Sequence, residues 1–186
     1  FFVNGEVFER SQPSGVSADG SGGQTFRAPA AAAEVRQILI DVYGYDPGGL
    51  GEFTELREND KFFARLDWNV TDAHQLTLRH NYIDAANDIY RPSTFTWEFP
   101  DRHYDFLDET NSTVFQANST FGPNTFNELR LTYQTIKDRR SGREPFPAIN
   151  VEVGGGGEVE AGVEPFSTKN ALDQEILEIT DDFTWL

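Results

Sequence analysis

The segment KFFARLDWNVTDAHQLTLRHNYI separates its apolar side chains from its charged ones at alternate positions. The apolar positions of its first arm are Phe62, Ala64, Leu66, Trp68 and Val70. Arg65 and Asp67 lie between them, and after the turn TDAH Leu76 and Leu78 alternate with polar residues in the same way. Alternation with a period of two predicts β-strands, here a hairpin with one apolar face and one charged face.

The same alternation recurs along the chain and predicts six strands. The predicted strand ranges are 1–10, 62–70, 75–84, 112–121, 126–136 and 175–186. Short turns, TDAH and GPNT, follow the second and fourth strands, whereas the predicted loops 11–61, 85–111 and 137–174 are long. Long loops at one end and short turns at the other are typical of outer-membrane barrels. We therefore predict an all-β fold, an antiparallel meander forming part of a transmembrane β-barrel, with one helix in a long outer loop.

The two faces of these strands supply the candidate functional residues. The predicted lipid-facing residues are Leu66, Trp68, Leu78, Phe115, Leu129, Leu131 and Tyr133. The predicted residues of the barrel interior are Arg65, Asp67, Arg79, Glu128 and Arg130. A cationic side chain at mid-depth on the lipid face costs about 2–4 kcal/mol, so the segregation of charge suits a membrane. The interior charges either line a substrate path or form a structural network of ion pairs.

The predicted loops contain one helix and two glycine-rich segments. APAAAAEVRQILIDVYG predicts a helix over 29–43, with Pro29 in the first turn and Gly44 after the end. Val35, Ile38, Leu39 and Val42 give it one apolar face, and it is either a lid over the barrel mouth or a static loop helix. The glycine-rich segments SQPSGVSADGSGGQ and VEVGGGGEVEAGVE predict flexible loops.

Composition excludes several classes of function. The formal net charge of −16 argues against nucleic acid as a partner. The chain has no cysteine, and the spacing of His74, His80 and His103 fits no metal motif, so we expect neither a metal nor another cofactor. It has no Gly-x-Ser-x-Gly nucleophile motif, and we expect no enzymatic activity.

The acidic loop residues match no calcium-binding loop motif. They are Asp46, Glu52, Glu55, Asp101, Asp105 and Asp108. Their simplest role is solvated acidity. The alternatives are that divalent ions bridge them to lipopolysaccharide phosphates, or that their field attracts cationic substrates.

The ordered set of segments resembles a known family. YGYDPGG, DKFFARLDWNVTDAHQLTLRHNY, NSTVFQANSTFGPNTFNELRLTYQ and EPFSTKNALDQEILEITDDFTW together resemble the barrel of Oar-like TonB-dependent outer-membrane receptors of Gram-negative bacteria. The resemblance implies a barrel of about 22 strands, closed by an N-terminal plug and energised through TonB, that transports a bulky substrate. The implied partners are outer-membrane lipid and lipopolysaccharide, the plug, TonB and an unknown substrate.

This interpretation treats the 186 residues as one part of a longer barrel. Six strands leave two bare edges, so we expect the segment to be stable only within its full-length protein or an assembly. Two alternatives to a transporter remain at this stage. One is a structural or adhesive outer-membrane protein, and the other is a secreted soluble β-sandwich, since any half-buried antiparallel sheet also alternates.

Overall fold

Six long strands form the main sheet in the computed structural model, which describes residues 1–142, 146–167 and 170–186. The strands are β1 (Phe2–Pro13), β4 (Thr54–Thr71), β5 (His74–Ile89), β7 (Tyr104–Thr120), β8 (Thr125–Gly142) and β11 (Ala171–Trp185). Their order in the sheet is β1-β4-β5-β7-β8-β11, and every neighbouring pair is antiparallel. The predicted six-stranded antiparallel meander is therefore confirmed.

The register places residues of one parity in continuous rows across the sheet. One row consists of Leu66, Leu78, Phe115, Leu131 and Ile179. The adjacent row on the same face consists of Trp68, Leu76, Ala117, Leu129 and Asp181. Since side chains at alternate positions of a strand point to opposite faces, the register gives the sheet one face with apolar rows and one with polar rows. We call these the apolar face and the polar face.

The strands extend beyond their predicted ranges, chiefly at the end that carries the long loops. β4 begins at Thr54 rather than at residue 62, and β8 continues to Gly142 rather than ending at residue 136. The added segment TELREND is polar at every position except Leu56, so the period-two hydrophobic signal disappears although the ladder continues. A strand with polar side chains on both faces shows no alternation of apolar and polar residues in its sequence.

The three long loops fold together into one body, which we call the outer cap (residues 14–53, 90–103 and 146–167). It contains the short strands β2 (Val16–Ser17), β3 (Gln24–Thr25), β6 (Thr96–Glu98), β9 (Ile149–Val153) and β10 (Gly157–Ala161). β10 lies between β6 and β9, in parallel with β6 and antiparallel to β9, so strands from two different loops share one sheet. The 3₁₀ turn Pro100–Arg102 leads back into β7.

The main hydrophobic core of the described chain lies in this cap rather than on the long sheet. Its buried members are Ala18, Phe26, Ala32, Leu39, Trp97, Phe99, Val159 and Ala161. The glycine-rich segment after residue 150 is therefore not a free loop, because it forms the β9–β10 hairpin and buries Val159 and Ala161. The segment before β3 is also packed, with Ser17 and Ala18 fully or almost fully buried. Both segments predicted as flexible loops thus contribute buried residues to the cap, and the second forms a hairpin that was not predicted.

Helix α1 (Pro29–Tyr43) has the predicted bounds, and Gly44 ends it in the left-handed conformation at φ 65°. Its buried stripe is Ala32 and Leu39 with Val35 beside them, whereas Ile38 and Val42 are exposed. Only half of the predicted apolar face is therefore buried against the cap core. No helix among the described residues has the length and apolarity required to cross a membrane.

Candidate functional site

The apolar face carries a belt of exposed hydrophobic side chains. Leu66 is 54% exposed, Trp68 60% and Leu78 47%, although all three lie in the middle of hydrogen-bonded strands. On β4 the belt runs from Phe62 to Val70, which spans about 20 Å of depth at a rise of about 3.3 Å per residue and a tilt of about 40°. That depth is close to the apolar band of about 25 Å on a membrane barrel.

All seven predicted lipid-facing residues lie on the apolar face. Leu66, Leu78, Phe115 and Leu131 share one row, Trp68 and Leu129 share the next, and Tyr133 lies one row towards the cap. In the row of Tyr133, His80 and Thr113 are also neighbours, and His80 Nδ1 lies 2.9 Å from Thr113 Oγ1. This hydrogen bond satisfies two polar groups that lie among the apolar side chains of the belt.

All five predicted interior residues lie on the polar face, where two ion pairs form along single strands. Arg65 makes a forked contact with Asp67, with Nη2 2.8 Å from Oδ1, and Thr77 donates a 2.8 Å hydrogen bond to the same oxygen. Arg130 Nη2 contacts Glu128 Oε1 at 2.5 Å. Arg79 lies directly opposite Arg65, and the described residues offer it no ion pair. The five predicted interior residues thus form two ion pairs, and Arg79 is the one among them without an ion pair to a described residue.

The polar face is more crowded than the apolar face at the same depth. Thr77 and Val114 are each only 8% exposed on the polar face, next to the exposed Leu78 of the apolar face. Curvature of a sheet brings side chains together on its concave side, so the exposures indicate that the polar face is concave. At the short-turn end this face borders a cavity of about 440 Å³ lined by Asn69, Gln75 and Asn118 among others.

The belt ends in a charged row on the side of the cap. This row consists of Asp60, Asp84, Glu109, Lys137 and Asp173. Lys137 Nζ contacts Glu109 at 3.0 Å, and Arg139 contacts Asp173 at 2.6 Å. Since uncompensated carboxylates are costly in hydrocarbon, we expect the strands to leave an apolar environment near this row.

The outer cap holds several partly buried charges. Arg102 Nη2 pairs with Glu160 Oε2 at 2.9 Å, and both side chains are largely buried. Burial raises the pKa of Glu98 and of Glu160 above the usual carboxyl value, while Arg102 opposes the rise in both. Burial also raises the pKa of the Tyr90 hydroxyl, which donates to the Glu98 carbonyl at 2.5 Å. Arg102 of the 3₁₀ turn is therefore paired with Glu160 of β10 and lies near enough to Glu98 of β6 to oppose the rise in its pKa.

One cluster that the sequence patterns did not indicate lies where the cap meets the strands. Asp88, His103 and Asp105 bring one nitrogen or oxygen atom each to within 4.8 Å of one another. Asp88 is the register partner of Asp105, and His103 is the residue that follows the 3₁₀ turn. The sequence analysis assigned all three residues to the predicted loop 85–111, and no local pattern indicated that Asp88 pairs with Asp105 across two strands.

Comparison with known proteins gives one match. The family described as "Outer membrane beta barrel domain" matches residues 50–180, which include the strands from β4 to most of β11. No curated protein matches the chain, and no solved structure matches it.

Proposed function

Since the chain belongs to the outer membrane β-barrel domain family, we propose that it forms part of the wall and the outer vestibule of a TonB-dependent, Oar-like transporter of a bulky substrate. Its location is the outer membrane of a Gram-negative cell, which excludes the secreted soluble β-sandwich. The observation that carries the proposal is the combination of a charged concave face with a folded cap above it. A protein that served only as an anchor has no need of either feature.

The polar face supports a transport path bounded by fixed charges. The Arg65–Asp67 and Glu128–Arg130 pairs hold their own charges in place, and Arg79 lies between them as an unneutralised cation. In this proposal the paired charges are the structural part of the interior, and Arg79 contacts either an acidic group of the plug or an anionic group of the substrate. Arg65 contributes to the same path through its position opposite Arg79.

The apolar face supports contact with lipid on the other side of the wall. Leu66, Trp68 and Leu78 belong to a belt whose depth suits a bilayer. In this proposal the charged row above the belt faces the lipopolysaccharide headgroups. The proposed partners are thus lipid and lipopolysaccharide outside, a plug domain inside, and TonB at the inner membrane.

The test compares loss of the protein with loss of TonB in the same organism. Strains lacking the gene or lacking TonB are grown on a panel of nutrients, and a transporter of this class gives a shared defect on at least one of them. A point variant, Arg79→Ala, is expected to reduce uptake of that nutrient, whereas the matched variant Asn81→Ala on the same face is not.

A structural or adhesive outer-membrane protein is the remaining candidate, since the folded cap also offers a surface to neighbouring cells. It predicts that loss of the gene weakens the envelope or adhesion and that loss of TonB does not reproduce this effect. That result, with no shared nutrient defect, would contradict transport.

A further inference from the structure

We propose that Asp88, His103 and Asp105 form a binding site for a divalent transition-metal ion of the Zn²⁺ class. The three residues come from the end of β5, the residue after the 3₁₀ turn and the start of β7. Their ligand atoms lie within 4.8 Å of one another, a separation that suits three donors around one ion.

The environment of His103 is the observation that points to a ligand. Its side chain is only 7% exposed. Its Nδ1 is hydrogen-bonded to the Pro100 carbonyl oxygen, and Nε2 has no hydrogen-bond partner among the described residues. A histidine that binds a metal through one nitrogen commonly donates the other N–H to a backbone carbonyl, which fixes the tautomer and the orientation of the ring. Phe53 packs on the ring with centroids 4.7 Å apart and holds it in place.

The two carboxylates are placed by the strand register rather than by loop conformation. Asp88 and Asp105 are direct cross-strand partners on β5 and β7. Side chains of direct cross-strand partners lie close together, so both carboxylates can reach one cation. The Leu56 backbone N–H donates to Asp88 Oδ2 at 2.8 Å, which orients this carboxylate and leaves its other oxygen for a ligand.

The donor set selects the class of ion. One neutral imidazole nitrogen and two carboxylate oxygens suit Zn²⁺ and related first-row ions, whereas Ca²⁺ and Mg²⁺ prefer all-oxygen sites with more ligands. Three protein ligands leave a fourth position for water or for a group from outside the chain.

The site lies at the base of a cap loop, so a bound ion would affect the stability of the cap. Asp88 and Asp105 bracket the cap loop 90–103 at its base, and His103 is the last residue of that loop. An ion held by all three therefore closes the loop that contributes Trp97 and Phe99 to the cap core. Metal binding is expected to stabilise the outer cap relative to the strands below it.

The test measures Zn²⁺ binding by the full-length protein in detergent, after removal of metal with a chelator. Titration against a chromophoric zinc indicator is expected to show a site that Asp88→Asn and His103→Gln each weaken by at least about tenfold, the scale seen when metal ligation is impaired. Asp88→Asn keeps an acceptor for the Leu56 N–H, so it tests the ligand without removing the local hydrogen bond. His80→Gln is the matched histidine control and is expected to leave affinity unchanged, because His80 contacts Thr113 elsewhere.

A second readout is the protection of the cap from protease. Zn²⁺ is expected to slow cleavage within 90–103 in the unaltered protein and in His80→Gln, and to have no effect in Asp88→Asn. The proposal is overturned if the substitutions at Asp88 and His103 leave Zn²⁺ affinity unchanged in folded protein, or if Ca²⁺ and Mg²⁺ compete with Zn²⁺ at equal concentration.

Discussion

Neighbouring residues on one strand of this protein have opposite surroundings. Thr77 is crowded on the concave polar face, whereas Leu78 is exposed on the apolar face. The assignment of side chains to two faces was predictable from the sequence, because a period of two is visible wherever one face is apolar. The contacts of the charged residues were not predictable, since Arg65 pairs along its own strand with Asp67 and not across the sheet with a charge of β5.

Replacement of Leu78 by arginine is expected to impair assembly in the outer membrane. An arginine at mid-depth on a lipid-exposed face costs about 2–4 kcal/mol. The measurement is the urea midpoint of the purified full-length protein in lipid vesicles, together with the amount of folded protein recovered from the membrane. Asn81→Arg is the matched control, because Asn81 lies on the polar face of the same strand, three residues from Leu78. Equal losses for both variants would contradict the assignment of the faces.

Glu98 is expected to make the outer cap more stable at mildly acidic pH. Burial raises its pKa above the usual value of 4.5, so the folded cap binds a proton more tightly than the unfolded chain does. Its ionisation therefore weakens the cap above the raised pKa, and stability increases as the pH falls from that value towards 4.5.

The corresponding variant is Glu98→Gln, which keeps an oxygen acceptor for the Arg91 backbone N–H. It is expected to protect cap amides at pH 7 better than the parent does, and to reduce the gain in protection on lowering the pH to about 5. Hydrogen exchange of residues 90–99, corrected for intrinsic rates, measures both effects. A gain in protection that is as large in Glu98→Gln as in the parent would assign the pH dependence to another group, such as Glu160.

At the scale of elements, helix α1 and the six strands were predictable, and the cap was not. The helix has local signals in Pro29 and Gly44, and the strands have local alternation. The cap core joins Phe26, Trp97 and Val159 from three separate loops, and no local pattern reports contacts over such sequence distances. The glycine-rich run after residue 150 was misread for the same reason, because composition alone does not reveal that a tertiary core supports its hairpin.

Gly162 at the end of β10 is a sensitive position of the cap. Its φ is +80°, and a Cβ there would lie 2.0 Å from the Pro147 carbonyl oxygen. Gly162→Ala is therefore expected to destabilise the cap by more than the roughly 1–3 kcal/mol of a strained backbone alone. Gly154→Ala is the control, since Gly154 has open space at the Cβ position. Limited proteolysis of the full-length protein is expected to cleave the cap of the first variant sooner and to leave the second unchanged.

Trp97 is the largest side chain that is fully buried in the cap. Trp97→Ala is expected to cost about 3–5 kcal/mol through lost burial and the cavity that remains. Because the core of the cap is separate from the long sheet, the loss is expected to appear as increased hydrogen exchange of β6, β9 and β10, with β5 and β7 unaffected. Uniform loss of protection in both sets of strands would show that the cap and the wall unfold as one unit.

At the scale of the whole molecule, the sheet is a section of a barrel wall. β1 and β11 are its two edges, and among the described residues each has only one strand beside it. Open edges do not persist in hydrocarbon, so these two strands are expected to pair with further strands. The wall was predictable because its strands alternate locally, whereas within the cap only helix α1 had a local signal.

The central claim is that one face of the sheet contacts lipid and the other does not. These 186 residues contain no cysteine, so single-cysteine variants at positions 76–79 of β5 and 114–117 of β7 can carry a spin label in the full-length protein in lipid vesicles. Collision with oxygen, which concentrates in lipid, is expected to be high at Leu76, Leu78 and Phe115 and low at Thr77 and Gln116. Oxygen accessibility that shows no alternation, or that is highest at Thr77 and Gln116, would contradict the account.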